Sequence, residues 1–192
     1  MLYFTILRNH LMLQNLLLLA ASIGFYAWGE PKFVIVMLVS IIFNYLFARL
    51  IENSGRQGGK RIWLVASVII NIGILFVFKY LNFTISNIDH IFGNILPQTS
   101  IELPIGISFF TFQAMSYVID VYRGEVKAQR NIFYIALYIS FFPQLVAGPI
   151  VRYKDINEQL LKRTHTIDNM AIGVRKFIAG LGKKVLVSNN LA

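Results

Sequence analysis

Gln113, Ser116, Tyr117 and Asp120 recur at three- and four-residue intervals inside the apolar run "LPIGISFFTFQAMSYVIDVYRG". Wound at 3.6 residues per turn, the four fall within an arc of about 100°, and Gly106 lies in the same arc. An Asp at the centre of a spanning helix costs about 2.5–3.5 kcal/mol on insertion scales, and less near an end, where Asp120 sits. Such a stripe must face protein or a wet cavity rather than lipid. Two chemistries fit it. The stripe lines a path for a solute or a transferred group, or it bonds helix to helix, with Asp120 paired to Arg123 or Arg152. Asn44 and Asn71 read as interhelical contacts of the second sort. Other chemistry has little support. His10, His90 and His165 stand in no metal-ligand spacing, and there is no cysteine to act as thiolate ligand or nucleophile. No HExxH, P-loop, GxSxG or dinucleotide fingerprint occurs. No residue is assigned as catalytic, and none as a metal ligand.

The second chemical stretch is "FFPQLVAGPIVRYKD", residues 141–155. It places Pro143, Gln144, Gly148, Pro149 and Arg152 at the end of an apolar run. Proline removes a backbone donor and breaks helices. Broken backbone at membrane depth survives only where protein buries it or a wet cavity borders it. Either residues 132–150 enter the membrane and turn back at Pro143 and Gly148-Pro149, or they form a kinked spanning helix that ends at Pro149.

The elements that must position these residues are read from composition and spacing. The chain is 56% hydrophobic and only 14% charged, with 16 phenylalanines. Soluble domains carry roughly 25% charge, so a bilayer is the solvent that this apolar surface fits. A spanning helix needs about 20 mainly apolar residues. Leu11–Gly29, Phe33–Ile51, Ile62–Tyr80 and Leu103–Tyr122 qualify, and Ile132–Ile150 is a weaker fifth; Leu2–Leu7 reads as the tail of an earlier helix. The fold expected is an all-α, polytopic helix bundle of about five membrane segments, the fifth either re-entrant or a kinked span, plus a C-terminal amphipathic helix. Pro31 can open the second helix, residues 52–61 and 123–131 read as loops, and 81–102 as a longer mixed connection. The N-terminal apolar run lacks a small-x-small cleavage site and reads as retained structure, not a signal peptide.

The net charge of +9 is scattered between apolar runs, which fits cytoplasmic loops and anionic headgroups and not nucleic acid. Arg49, Arg56, Lys60 and Arg61 put 52–61 in the cytoplasm, so 30–32 and 81–102 face outward and 123–130 inward. A fifth full crossing would then leave Arg152, Lys154, Lys162, Arg163, Arg175, Lys176, Lys183 and Lys184 outside, against the usual bias. A re-entrant 132–150 removes that conflict. From Ile167 the apolar positions Met170, Ala171, Val174, Ile178, Leu181 and Val185 form one stripe behind a Thr166 cap, with Asp168 at the positive end of the helix. This C-terminal amphipathic helix lies in the membrane interface or packs on further protein.

Four ordered blocks, "LLLLAASIGFYAWGEPKFV", "LPIGISFFTFQAMSYVIDVYRGEV", "FFPQLVAGPIVRYKD" and "GLGKKVLVSNNLA", resemble the bacterial branch of the membrane-bound O-acyltransferase (MBOAT) family. The resemblance is to integral-membrane subunits of alginate and other polysaccharide O-acetyltransferases, and more distantly to teichoic-acid D-alanyl transferases. It covers about residues 9–192. It implies that 1–192 is the N-terminal part of a single membrane-embedded acyltransferase domain, a fragment of a larger fold in the bacterial cytoplasmic (inner) membrane. It implies transfer of an acyl group, by default acetyl, from a cytoplasmic acyl thioester such as acetyl-CoA to an extracytoplasmic polysaccharide hydroxyl. No bound cofactor is implied. The partners implied are membrane lipid, the polysaccharide acceptor and extracytoplasmic acetyltransferase proteins. The family's catalytic histidine lies further along than 192, so none of the three histidines is carried over and this chain alone is expected to be inactive. Gln113, Ser116, Tyr117, Asp120, Gln144 and Arg152 are the expected substrate-path residues, with Arg152 neutralising Asp120 or meeting the donor's phosphates. A transporter or channel subunit and a noncatalytic membrane scaffold are the other readings.

Overall fold

The computed structural model describes residues 10–93, 97, 99–145, 149–163 and 166–191. Among them every regular element is helical. Helix α1 is Leu11–Gly29, α2 is Val34–Asn53 and α3 is Gln57–Leu75. The π-helical turn Phe76–Tyr80 joins α3 without a break to α4, Leu81–Phe92. Then come α5, Ile107–Arg123, α6, Ile132–Ser140, and the single turn α7, Phe142–Leu145. Helix α8 is Tyr153–Leu161, and α9 is Ile167–Gly182, extended by the π turn Lys183–Ser188 and by α10, Asn189–Leu191.

Among the described residues three helices are long and apolar enough to cross a membrane: α1, α2 and the continuous Gln57–Phe92. Their outward faces carry large apolar residues such as Leu13, Ile35, Ile42, Phe43 and Ile69, as a lipid-facing surface requires. The expected count of about five membrane segments is not confirmed among the described residues. Helix α5 has 17 residues, and α6 has only nine, about 14 Å against a core of about 30 Å.

Several boundaries shift from the expected ones. Gln57–Lys60 form the first turn of α3, because a helix N-terminus tolerates unpaired donors and its two glycines there. Leu81–Phe92, expected as loop, is helix α4. Pro31 sits in a turn ahead of α2 and not at its first position. Gly106 is the cap of α5 at φ +78°, outside the helical arc it was placed in. Thr166 caps α9 as expected, its hydroxyl accepting from the Asn169 N–H at 3.1 Å, and no residue of α9 is buried. Leu2–Leu7, Gly148 and His165 lie outside the described residues.

Helix α2 packs on α3 and α5, α3 on α5, and α1 on α6. Met37, Ile41, Ala48, Phe110, Ala114, Val118, Ile135 and Ile139 form the core between them. Side-chain bonds fix which ends coincide. Glu52 accepts from the Ala128 N–H at 3.1 Å and Tyr45 donates to the Arg130 carbonyl at 2.7 Å, so the 124–131 loop sits at the C-terminal end of α2. Asn15, near the start of α1, donates to the Leu160 carbonyl at 3.0 Å, which sets α8 at that same end. At the opposite end Tyr26 donates to the Ile105 carbonyl, and Glu30 accepts from the Ile105 N–H. Residues 54–56, 124–131 and α8 therefore share one end, the basic one.

The segment after α6 is a re-entrant hairpin. It leaves the basic end with Ile132, and at α7 it reaches the far end of α5. There the Leu145 carbonyl lies 2.7 Å from where a Cβ on Gly106 would stand. By Val151–Tyr153 it is back at the level of Tyr138, Asp120 and Gln129. Both legs belong to the basic end, so the kinked spanning alternative is excluded for the described residues.

Candidate functional site

A helix that stops at Ser140 leaves carbonyls without their i+4 donors. In an uninterrupted helix the Tyr138 carbonyl would accept from the Phe142 N–H. Here that N–H points instead to the Ser22 hydroxyl of α1, at 3.4 Å. Two side-chain amides replace it. Gln113 Nε2 of α5 donates to the Tyr138 carbonyl at 2.7 Å, and Gln144 Nε2 of α7 donates at 2.9 Å. Pro143 costs little, because it stands in the first turn of α7, where an N–H would have no helical partner. The glutamines are thus present because the backbone is broken.

Below this point the Tyr138 hydroxyl bridges the legs. It donates to the Val151 carbonyl at 2.8 Å and lies 3.3 Å from the Ser116 hydroxyl, which itself donates to the Gln113 carbonyl at 2.8 Å. The Tyr153 ring packs edge-on between Tyr117 and Tyr138, with centroids 4.9 and 5.2 Å away. The Tyr117 hydroxyl accepts from the Gln129 N–H at 2.9 Å, and Gln129 Nε2 donates to the Tyr153 hydroxyl at 3.2 Å. Such satisfaction of buried hydroxyls lets three tyrosines share one core position.

At the basic end the return leg is held by charge. Arg152 donates to the Asp120 carboxylate, which settles the choice between Arg123 and Arg152. Asp120 is 1% exposed and Arg152 35%, so the pair lies at the edge of the core and its cation reaches outward. Helix α5 ends in a Schellman motif: the Glu125 N–H reaches the Asp120 carbonyl at 3.0 Å, and the Gly124 N–H reaches Val121 at 3.0 Å. Gly124 has φ +75°, which glycine alone adopts without strain. The turn brings Glu125 beside Arg152 (3.2 Å) and Lys154 (2.8 Å), with Arg123 at 3.8 Å. The hydrogen bond from Lys154 is the main reason that the Glu125 carboxyl sits below its usual range, and Arg152 and Arg123 add to it.

All six residues expected at the site therefore gather at the hairpin: Gln113, Ser116, Tyr117, Asp120, Gln144 and Arg152. Gln144 also borders a cavity of about 150 Å³ between α1, α6, α7 and α8. Tyr138, Tyr153, Gln129 and Glu125 belong to the same network and were missed. Counting four residues back from Phe142, where proline-rich sequence begins, would have pointed to the Tyr138 carbonyl; the others carry no local signal. His10 and His90 stand apart from the network, and no group of acidic residues and histidines able to hold a metal occurs among the described residues. Asn44 and Asn71 are helix contacts, each amide donating to the other at 3.1 and 2.9 Å.

Residues 123–192 match the sequence profile of MBOAT, the membrane-bound O-acyltransferase family. Over 184 residues, 93% of this chain, the chain is 41% identical to the Pseudomonas aeruginosa protein named "Probable alginate O-acetylase AlgI" and spans 35% of its length. It is 34% identical to the "Peptidoglycan O-acetyltransferase" of Helicobacter pylori, spanning 39% of that protein. Over 43% of its own length it is 29% identical to the "Teichoic acid D-alanyltransferase" of Bacillus subtilis. The chain thus spans a little over a third of the length of these two curated relatives. No solved structure matches it.

Proposed function

The chain belongs to the membrane-bound O-acyltransferase family, and from that premise we propose that it builds the front part of a single membrane-embedded acyltransferase domain. The reaction proposed moves an acetyl group from an acyl thioester, such as acetyl-CoA, to a polysaccharide hydroxyl. The acyl C–S bond breaks, an ester C–O bond forms, and the hydroxyl proton ends on the leaving thiol. The observation that carries this reading is the alignment of 93% of the chain with proteins named as O-acetylases of two different polysaccharides. The common element in those names is the acetyl group and a sugar polymer.

In this reading the enzyme is multi-pass in the bacterial inner membrane, with its basic end in the cytoplasm. The thioester arrives at the basic end, the polymer is acylated at the other, and extracytoplasmic acetyltransferase proteins act on the same polymer. No residue of 1–192 is proposed as catalytic. Gln113, Ser116, Tyr117, Asp120, Gln144 and Arg152 hold the re-entrant hairpin as one wall of the transfer path. Polar groups at depth and irregular backbone are what a polar path through a bilayer requires.

Two measurements test this. Disrupting the gene and assaying ester-linked acetyl in the surface polysaccharide should give loss, restored by the intact protein. Unchanged acetylation with altered solute uptake would instead favour a transporter. Arg152→Ala in the intact protein should lower acetylation by at least about tenfold, and normal acetylation by a normally folded variant would remove 141–155 from the path.

A further inference from the structure

The cavity beside the outbound leg of the hairpin touches the network at Tyr138 and Gln144 but is walled mainly by residues outside it. Leu18, Leu137, Phe141, Ile156 and Leu160 give it apolar walls from α1, α6, the α6–α7 joint and α8. At its rim stands Arg163, whose Nη2 donates to Asn15 of α1 at 2.6 Å. Asn15 in turn donates to the Leu160 carbonyl. The rim therefore belongs to the basic end of the bundle, and Lys162 adjoins it in sequence. The space is partly open, and Tyr138, Gln144 and Gln159 complete its lining; its volume suits a guest of roughly six carbon atoms. The larger groove beside Phe25, Trp28 and Ile105, about 370 Å³, has Glu30 in its lining and no cation. The two apolar spaces lie at opposite ends of α1 and carry opposite charge.

We infer that the space lined by Leu18, Leu137, Ile156 and Leu160 is a binding site for an anionic phospholipid, taking the first carbons of one acyl chain beyond its ester while the phosphate lies against Arg163. The chain supplies the dispersion contacts that an empty wall forgoes. The guanidinium supplies a charge-assisted bond that a zwitterionic headgroup offsets with its own cation. The site shares Gln144 with the proposed transfer path but takes neither a thioester nor a sugar.

The test uses the intact protein in vesicles containing phosphatidylglycerol with a diazirine on one acyl chain close to its ester. The same tail probe on phosphatidylcholine is the comparison. After irradiation, cross-linked peptides are mapped by mass spectrometry. The expected result is labelling at Leu18 or within 156–160, severalfold stronger for phosphatidylglycerol. Leu18→Trp and Ile156→Trp fill the cavity from two different helices. Each should lower that labelling severalfold, while labelling on the outward face of α2 is kept as the folding check. Arg163→Gln should equalise the two probes, and Arg163→Lys should restore the preference. Even labelling of all outward faces would overturn the inference, as would Trp variants that are folded yet label like the parent. Removal of the label by excess acetyl-CoA would also overturn it, assigning the cavity to the thioester.

Discussion

Among the described residues, a small buried polar cluster and a larger one serve opposite purposes. Asn44, Ser67 and Asn71 knot α2 to α3, where both helices are regular and every backbone donor is already used. Asn71 Nδ2 donates to Asn44 and to the Ser67 carbonyl, and the Ser67 hydroxyl reaches Asn44 at 3.3 Å. All the groups are neutral. The second cluster binds α5 to a hairpin that is not regular. Its amides serve a backbone carbonyl that a broken helix abandoned, and its last rung is an ion pair. The knot joins two elements that would form anyway. The hairpin network stands in for secondary structure that is absent. Losing the knot should loosen packing, whereas losing the network should change where a segment lies.

The sharpest way to break this comparison is at Gly106. A Cβ there meets the Leu145 carbonyl at 2.7 Å, and φ is +78°. Gly106→Ala should lower stability by about 2 kcal/mol or more and push α7 away from α5, measured as the melting temperature of the purified protein in detergent. Next comes a paired exchange. Asn71→Leu should cost about 1–2 kcal/mol yet leave acetyl transfer per folded molecule unchanged. Gln113→Leu should cost about 1 kcal/mol, since Gln144 still serves the Tyr138 carbonyl, but reduce transfer severalfold. Equal ratios of activity loss to stability loss in the two variants would erase the distinction.

The smallest effect is expected at Glu125, outside the membrane segments. Its folded-state pKa is lowered by the hydrogen bond from Lys154. The stability it contributes is present above the ordinary carboxylate pKa and is lost as pH falls through the lowered value. Glu125→Gln should lower the melting temperature by about a degree or two at neutral pH, and the difference should vanish in acid. A difference that grows in acid would contradict the sign.

Sequence made the spans legible because lipid imposes a length and a composition on each of them. It also made the stripe legible, because four polar residues on one helical arc have no place in lipid. The role of the stripe was not legible, since the partner of Gln113 is a backbone carbonyl 25 residues away. Tyr138 lies in an apolar run and is visible only as one more large side chain until the break at Phe141 frees its carbonyl. Helix α4 was missed because its composition is mixed. It continues α3 through a π turn instead of starting afresh, so no cap marks its beginning.

The hairpin that leaves and re-enters the basic end also bears on how the chain is made. With the basic end in the cytoplasm, as proposed, Arg152, Lys154, Lys162 and Arg163 follow it without having to be carried across the bilayer. In that orientation the connections around Pro31 and 93–106 are carried across, and neither bears many cations. The hairpin can then slide into a bundle whose α1, α2, α3 and α5 already stand. Its glutamines, tyrosines and arginine become the final closures of assembly rather than its beginning.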